Sequence, residues 1–155
     1  MRIYLIALGE RMPAWVKQGY DEYAKRIGPE MSLVLTEVAA EKRTKTTDTK
    51  RLLEKEMKKI QQAMPANSYV IALDKTGQSW STEKLAQQMD GWLQMGQNIC
   101  FLIGGPEGLT REMVQQADMC LSFSAMTFPH PLMRVIVAEQ LYRASSVLKN
   151  HPYHK

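Results

Sequence analysis

The chain predicts an α/β fold, a mostly parallel sheet with helices on both faces, built as one domain over residues 1–155. Three observations predict it. Short apolar runs alternate with amphipathic stretches, the pattern of strands joined by crossover helices. No internal repeat or low-complexity linker interrupts the alternation. At 155 residues, 45% hydrophobic and 23% charged, the chain suits a single globular core.

Ile3 to Leu8 reads as a buried strand. Pro13 suits the first turn of a helix, where its missing N–H costs nothing. Val16, Tyr20, Tyr23 and Ile27 mark that helix's apolar face, and Gly28-Pro29 ends it. Leu33 to Val38 is rich in β-formers and makes a second strand. The polar stretch Ala40 to Thr47 predicts an exposed, mobile loop. Thr47 or Asp48 caps the next helix, whose apolar face runs Leu53, Met57, Ile60 and Met64, with Pro65 just past its end. Tyr69 to Leu73 is a third strand ending at Asp74. Ser81 or Thr82 caps a helix carrying Leu85, Met89 and Trp92. Ile99 to Ile103 is the most continuously apolar strand. Thr110 to Ala117 is a short helix, Met119 to Ser124 a fifth strand, and Pro131 to Leu148 the last helix. That helix is apolar nearly all round (Leu132, Val135, Ile136, Val137, Leu141, Tyr142, Leu148), so it needs cover on more than one side. In a chain this small, a second subunit is the expected cover.

Composition excludes several classes. No apolar run is long enough to span a bilayer, and the N-terminus lacks a signal peptide's apolar core and cleavage site. A cytoplasmic protein without a membrane partner is expected. Cys100 and Cys120 sit in apolar runs without metal-ligand spacing, so they read as buried reduced thiols, and no metal is expected. Charge is concentrated. Between Glu41 and Ile60, eight cations face four carboxylates, a net +4 that equals the formal charge of the whole chain. Such a segment fits a polyanion partner, although a solvated helix face has the same composition.

Candidate chemistry gathers in the last third. Gly104-Gly105-Pro106-Glu107-Gly108 follows the most apolar strand directly. It lacks G-x-G-x-x-G spacing and a P-loop Lys-Ser/Thr pair, so it does not cradle phosphate. A tight turn offering backbone groups to a neutral or cationic ligand remains, beside the plainer account of an ordinary strand-to-helix turn. Asp74, Gly104-Gly105 and the residues after Ser124 all lie at the carboxyl ends of strands, where parallel sheets bind ligands. All three histidines also fall here. His130 is held between Pro129 and Pro131, as a structural donor or a catalyst. His151-Pro152-Tyr153-His154-Lys155 combines stacking, proton-transfer and phosphate-contacting groups, or else is a frayed end. Glu139 and Arg143 stand i, i+4 and can pair on their helix.

Several motifs together resemble the SPOUT class of S-adenosylmethionine-dependent RNA methyltransferases. They are Met12-Pro13-Ala14-Trp15-Val16, Tyr20-Asp21-Glu22-Tyr23, Lys42-Arg43, Leu73-Asp74, Leu102 to Leu109, Pro129-His130-Pro131-Leu132 and Asn150 to His154. The similarity runs over the whole chain and is greatest to the pseudouridine-N3 methyltransferases of the ribosomal large subunit, the RlmH family. This resemblance implies a single SPOUT domain over residues 1–155 whose C-terminal part forms a trefoil knot, and a homodimer. It also implies S-adenosyl-L-methionine as cofactor, lined by Leu73, Gly104, Gly105, Phe123, Ser124, Ala125, Met126, Thr127 and Phe128. Phe123, Met126 and Phe128 are bulkier than the leucines common in that loop.

The implied reaction methylates N3 of a pseudouridine in helix 69 of 23S rRNA within the assembled ribosome. His154 is the expected proton-handling group, with His130 as second candidate. Tyr153 would position the base, Arg143 and Lys155 would contact RNA, and Lys42, Arg43 and Lys45 would grip rRNA. Lys155 stands where the family carries a basic residue, without the planar fork of arginine. The rival expectation is a non-catalytic ribosome-binding or assembly factor. A hydrolase of the α/β class lacks its G-x-S-x-G elbow here.

Overall fold

The computed structural model describes residues 1–155. Strands β1 (Arg2–Leu8), β2 (Ser32–Val38), β3 (Tyr69–Ser79), β4 (Ile99–Ile103) and β5 (Met119–Ser122) form one sheet. Between them run helices α1 (Ala14–Ala24), α2 (Thr49–Ala63), α3 (Thr82–Met95), α4 (Arg111–Gln116) and α5 (His130–Leu148). A 3₁₀ turn, Pro152–His154, closes the chain. The strand order is β2-β1-β4-β3-β5, and every neighbouring pair is parallel.

Alternation along the strands divides the core. Ile3, Leu5, Ala7, Phe101 and Ile103 face α1, α3 and α5, where Tyr20, Met89, Trp92, Val137 and Leu141 meet them. Ile6, Leu8, Cys100 and Leu102 face α2 and α4, against Met57, Ile60 and Met113. All five residues of β4 are buried, which explains its unbroken apolar run. Burying such a side chain contributes about 1.5–3 kcal/mol. Side-chain oxygens of Asp48, Ser81 and Thr110 accept hydrogen bonds from the first turns of α2, α3 and α4, and Gly96 closes α3 at φ 64°.

Four details differ from the sequence reading. Helix α1 ends at Ala24, although Ile27 is still buried beyond it. The buried face of α2 is Leu52, Glu56, Met57 and Ile60, rotated from the expected one to admit a carboxylate. Strand β3 runs past Leu73 to Ser79, and β5 stops at Ser122. The extension is bulged. Leu73 and Gln78 both pair with Leu121, so Asp74 to Gly77 loop out from the ladder. Gly77 is required there, because a Cβ would lie 2.6 Å from the Cys120 carbonyl carbon.

Helix α5 packs between α1 and α3 on one face of the sheet. Its apolar pattern hides one buried charge. Arg134 is 1% exposed, pairs with Glu37 at 2.6 Å, and donates to the carbonyl of Gly9 at 2.6 Å. It ties the start of α5 to the carboxyl ends of β1 and β2. Leu132, Val135 and Ile136 stay only half-buried, so one chain does not fully cover the helix. No helix is long and apolar enough to cross a membrane.

Candidate active site

A cavity of about 620 Å³ opens beside the irregularity in β3 and beyond the carboxyl ends of β4 and β5. That volume lies in the range of small-ligand sites. Three segments wall it: Leu73-Asp74-Lys75 on the β3 bulge, Ile103 to Gly108 after β4, and the residues from Leu121 to His130 other than Ala125, with Met133 beyond. A smaller hollow of about 270 Å³ continues past Phe123 and Phe128 toward Trp80 and Gln140.

The glycine turn is fixed by close backbone approach. A Cβ on Gly104 would sit 2.4 Å from the Gly108 carbonyl carbon and 2.6 Å from the Leu109 nitrogen. On Gly105 it would meet the Leu8 side chain at 2.7 Å. Gly108 has φ 77°, and its N–H donates to the Gly105 carbonyl at 2.9 Å. These glycines therefore let two backbone stretches touch while leaving polar groups at the cavity wall. Across the cavity, the Ser122 hydroxyl donates to the Ser124 carbonyl and the Met126 N–H to the Ser124 hydroxyl, each at 2.9 Å.

Charge at the cavity suits a cation better than a phosphate. Asp74 and Glu107 line it against one lysine, Lys75. Glu107 is held below the usual carboxylate range, first by its hydrogen bonds from Arg43. The adenosyl and sulfonium groups of S-adenosyl-L-methionine fit such a lining, which offers backbone groups and the Asp74 carboxylate, Glu107 being paired with Arg43. No group of three or more His, Cys, Asp or Glu side chains is placed to hold a metal ion.

His130 stands where the loop from β5 enters α5, on the cavity wall. Burial lowers its pKa below 6.5, and the cations of Arg134 and Arg43 push the same way against Glu107. The ring is thus held neutral, and its Nδ1 is buried without a partner.

The C-terminal tail is ordered, and it lies elsewhere. Tyr153 stacks on Tyr142 with ring centroids 4.4 Å apart, and its hydroxyl donates to Glu139 at 3.2 Å. The Arg143 guanidinium caps the same ring at 4.8 Å and pairs with Glu139 at 2.6 Å. Burial, then the charge of Glu139, pushes the Tyr153 phenol up to about 12, so it stays protonated. His154 Nδ1 contacts the His151 carbonyl. A carbonyl only accepts, so Nδ1 is the donor in this contact, which leaves Nε2 outside it.

Helical geometry separates tail from cavity. Met133 lines the cavity and Tyr142 seats the tail. Nine residues are two and a half turns, so the two project from opposite sides of α5. Within one chain the tail does not reach the glycine turn.

Of the residues expected around the cofactor, Leu73, Gly104, Gly105, Phe123, Ser124, Met126, Thr127 and Phe128 line the cavity. Ala125 is exposed and does not line it. His130 joins the lining; Arg143, Tyr153 and His154 form the separate tail cluster. Lys42, Lys45 and Lys155 are exposed, whereas Arg43 is half-buried and bound to carboxylates. Sequence reasoning missed Glu107 and Lys75 as lining residues. The signal for Glu107 was available, since it is the only charge inside the glycine turn.

Comparisons with known proteins follow the same lines. Residues 1–154 match the family model described as "Predicted SPOUT methyltransferase". Proteins named ribosomal RNA large subunit methyltransferase H resemble the chain over its full length. The one from Thioalkalivibrio sulfidiphilus is 51% identical, covering 100% of this chain and 99% of its own. That from Methylococcus capsulatus is 48% identical over 100% of both chains. Among solved structures, a probable methylase family protein from Haemophilus influenzae superposes with a TM-score of 0.56 at 16% identity, over 99% of this chain and 70% of that one. A probable methyltransferase from Bordetella pertussis gives 0.56 at 13%, over 92% and 95%. These two bear on the fold alone. Through the family model and the full-length relatives together, the chain belongs to the SPOUT methyltransferase family, among its ribosomal RNA large subunit methyltransferase H members.

Proposed function

We propose that the chain methylates N3 of a pseudouridine in helix 69 of 23S rRNA, on the assembled ribosome in the cytoplasm, using S-adenosyl-L-methionine. It acts as a single SPOUT domain with a C-terminal trefoil knot, in a homodimer. The observation that carries this reading is the cavity, where a glycine turn and a post-strand loop offer backbone groups, with the Asp74 carboxylate beside them, to a ligand without phosphate.

The cofactor would be held by Leu73, the Gly104-Gly105 turn and the loop from Phe123 to Phe128. Bound there, it would supply an electrophilic sulfonium methyl for the imide nitrogen. Holding the two reactants in line accounts for roughly 7–11 kcal/mol of the barrier. His154 Nε2 takes the N3 proton. Tyr153, a half-buried protonated phenol, positions the base. Arg143 and Lys155 contact the RNA backbone, as do Lys42 and Lys45 on the exposed loop. His130, neutral on the cavity wall, adds no positive charge beside a cationic ligand.

Because tail and cavity lie on opposite sides of α5, the transfer site takes its tail from the second subunit. The half-buried apolar surface of α5 supports the same dimer. The test is in vitro methylation of ribosomes from cells lacking this activity, read by mass spectrometry of helix 69. A gain of one methyl on the pseudouridine is expected. Ribosome binding with no methyl gained would indicate a non-catalytic binding factor instead.

A further inference from the structure

The basic loop between β2 and α2 contains three cations expected to grip RNA, and one of them is employed otherwise. Glu56 is a carboxylate on α2 with 0% exposure, a burial that needs compensation. Arg43 supplies it. One face of its guanidinium chelates Glu56, with NH1 and NH2 each 3.1 Å from a carboxylate oxygen. The Glu41 N–H adds a third bond to Glu56 at 2.9 Å. The other face reaches Glu107, at 3.0 Å from Nε and 2.6 Å from NH2. Arg43 also donates to the Glu41 carbonyl at 3.1 Å. All five guanidinium N–H groups thus have acceptors close by, and none is needed by a phosphate. Its neighbours Lys42 and Lys45 are exposed and make no ion pair.

We propose that Arg43 is a positioning residue for the cofactor turn and not an RNA contact. Seated on buried Glu56, it holds Glu107 and so fixes the backbone from Gly104 to Gly108 that walls the cavity. The loop then divides its labour. Lys42 and Lys45 face the polyanion, while Arg43 links the same loop to the turn. The planar fork is essential, because it must serve two carboxylates at once, which a lysine ammonium cannot match.

This inference rests on the cavity being the S-adenosyl-L-methionine site, so its test includes a readout without cofactor. Hydrogen exchange is measured on the ligand-free protein for Arg43→Lys, Arg43→Gln, Glu107→Gln and the Arg43→Gln/Glu107→Gln pair. All four are expected to speed exchange at the amides of 104–108 by roughly tenfold, the size of one lost charge-assisted hydrogen bond. The double variant exceeds Glu107→Gln little at the turn, since Arg43 acts on it through Glu107. Glu107→Gln leaves Glu56 paired and keeps the test open should Arg43→Gln fail to fold. Calorimetry with S-adenosyl-L-methionine is expected to show a similar loss of affinity. Ribosome affinity and its salt dependence stay at parental values in Arg43→Lys. The proposal is overturned if exchange at 104–108 is unchanged in Arg43→Lys and Glu107→Gln. It is equally overturned if Arg43→Gln only lowers the salt slope of ribosome binding by about one, as loss of a phosphate contact would. Failure of the parent protein to bind S-adenosyl-L-methionine would overturn the cofactor reading, leaving the exchange data to judge the turn.

Discussion

The two ends of α5 are built in different ways. At its start, the cavity is walled by backbone: glycines that admit no Cβ, a strand bulge, and a loop closed by its own serines. Past its middle, the tail is held by side chains: one aromatic stack, one phenol hydrogen bond and one arginine. Backbone that cannot move without clashing presents a cofactor preformed, whereas a side-chain latch can open to admit a large RNA. In the proposed reading, the donor half is the one fixed by backbone and the acceptor half the one held by side chains.

The largest expected effect strikes the donor half. Gly104→Ala forces a methyl group into the Gly108–Leu109 backbone. Calorimetry should find no S-adenosyl-L-methionine binding, with stability reduced by about 3 kcal/mol as in other overpacked sites. On the acceptor half, His154→Ala should leave cofactor affinity intact and slow single-turnover methylation by about 10²–10⁴-fold, the worth of a general base. An unchanged rate would remove His154 from the chemistry. Tyr153→Phe keeps the stack and loses the bond to Glu139. Methylation should fall roughly tenfold or more, in line with one hydrogen bond to a charged group, and cofactor affinity should not change.

The smallest effect is a pH dependence at the cavity wall. The His130 pKa is depressed in the folded protein, so the unfolded chain binds the proton more readily. Stability contributed by neutral His130 is therefore complete above 6.5 and is lost as pH falls below that value. NMR titration of the ring should give a midpoint under 6.5, with Arg134, Arg43 and Glu107 as the charges that face it. A midpoint above 6.5 would contradict the neutral wall.

Much of this architecture was legible in the sequence, because local signals carried it. Five apolar runs became five strands, and Asp48 and Ser81, each one of two caps the sequence offered, cap α2 and α3. The family resemblance brought Leu73, Gly104 and the 123–128 loop together, and all of these but Ala125 line one cavity. Long-range partners were not legible. Glu56 looked like one more surface carboxylate until Arg43 reached it from a loop 13 residues earlier. Arg134 carried no sequence signal at all, and its partners, Glu37 and the carbonyls of Leu8 and Gly9, come from distant parts of the chain. The position of the tail was also hidden, since it depends on which side of α5 Tyr142 projects from.

The central claim is that one subunit's tail serves the other's cavity, and mixing two inactive variants tests it directly. Gly104→Ala retains a sound tail, and His154→Ala retains a sound cavity. If the site is shared, their heterodimer contains one site with both sound parts, so methylation of ribosomes returns on mixing. If each chain completes its own site, every site in the mixture carries one defect and activity stays absent, which would contradict the account.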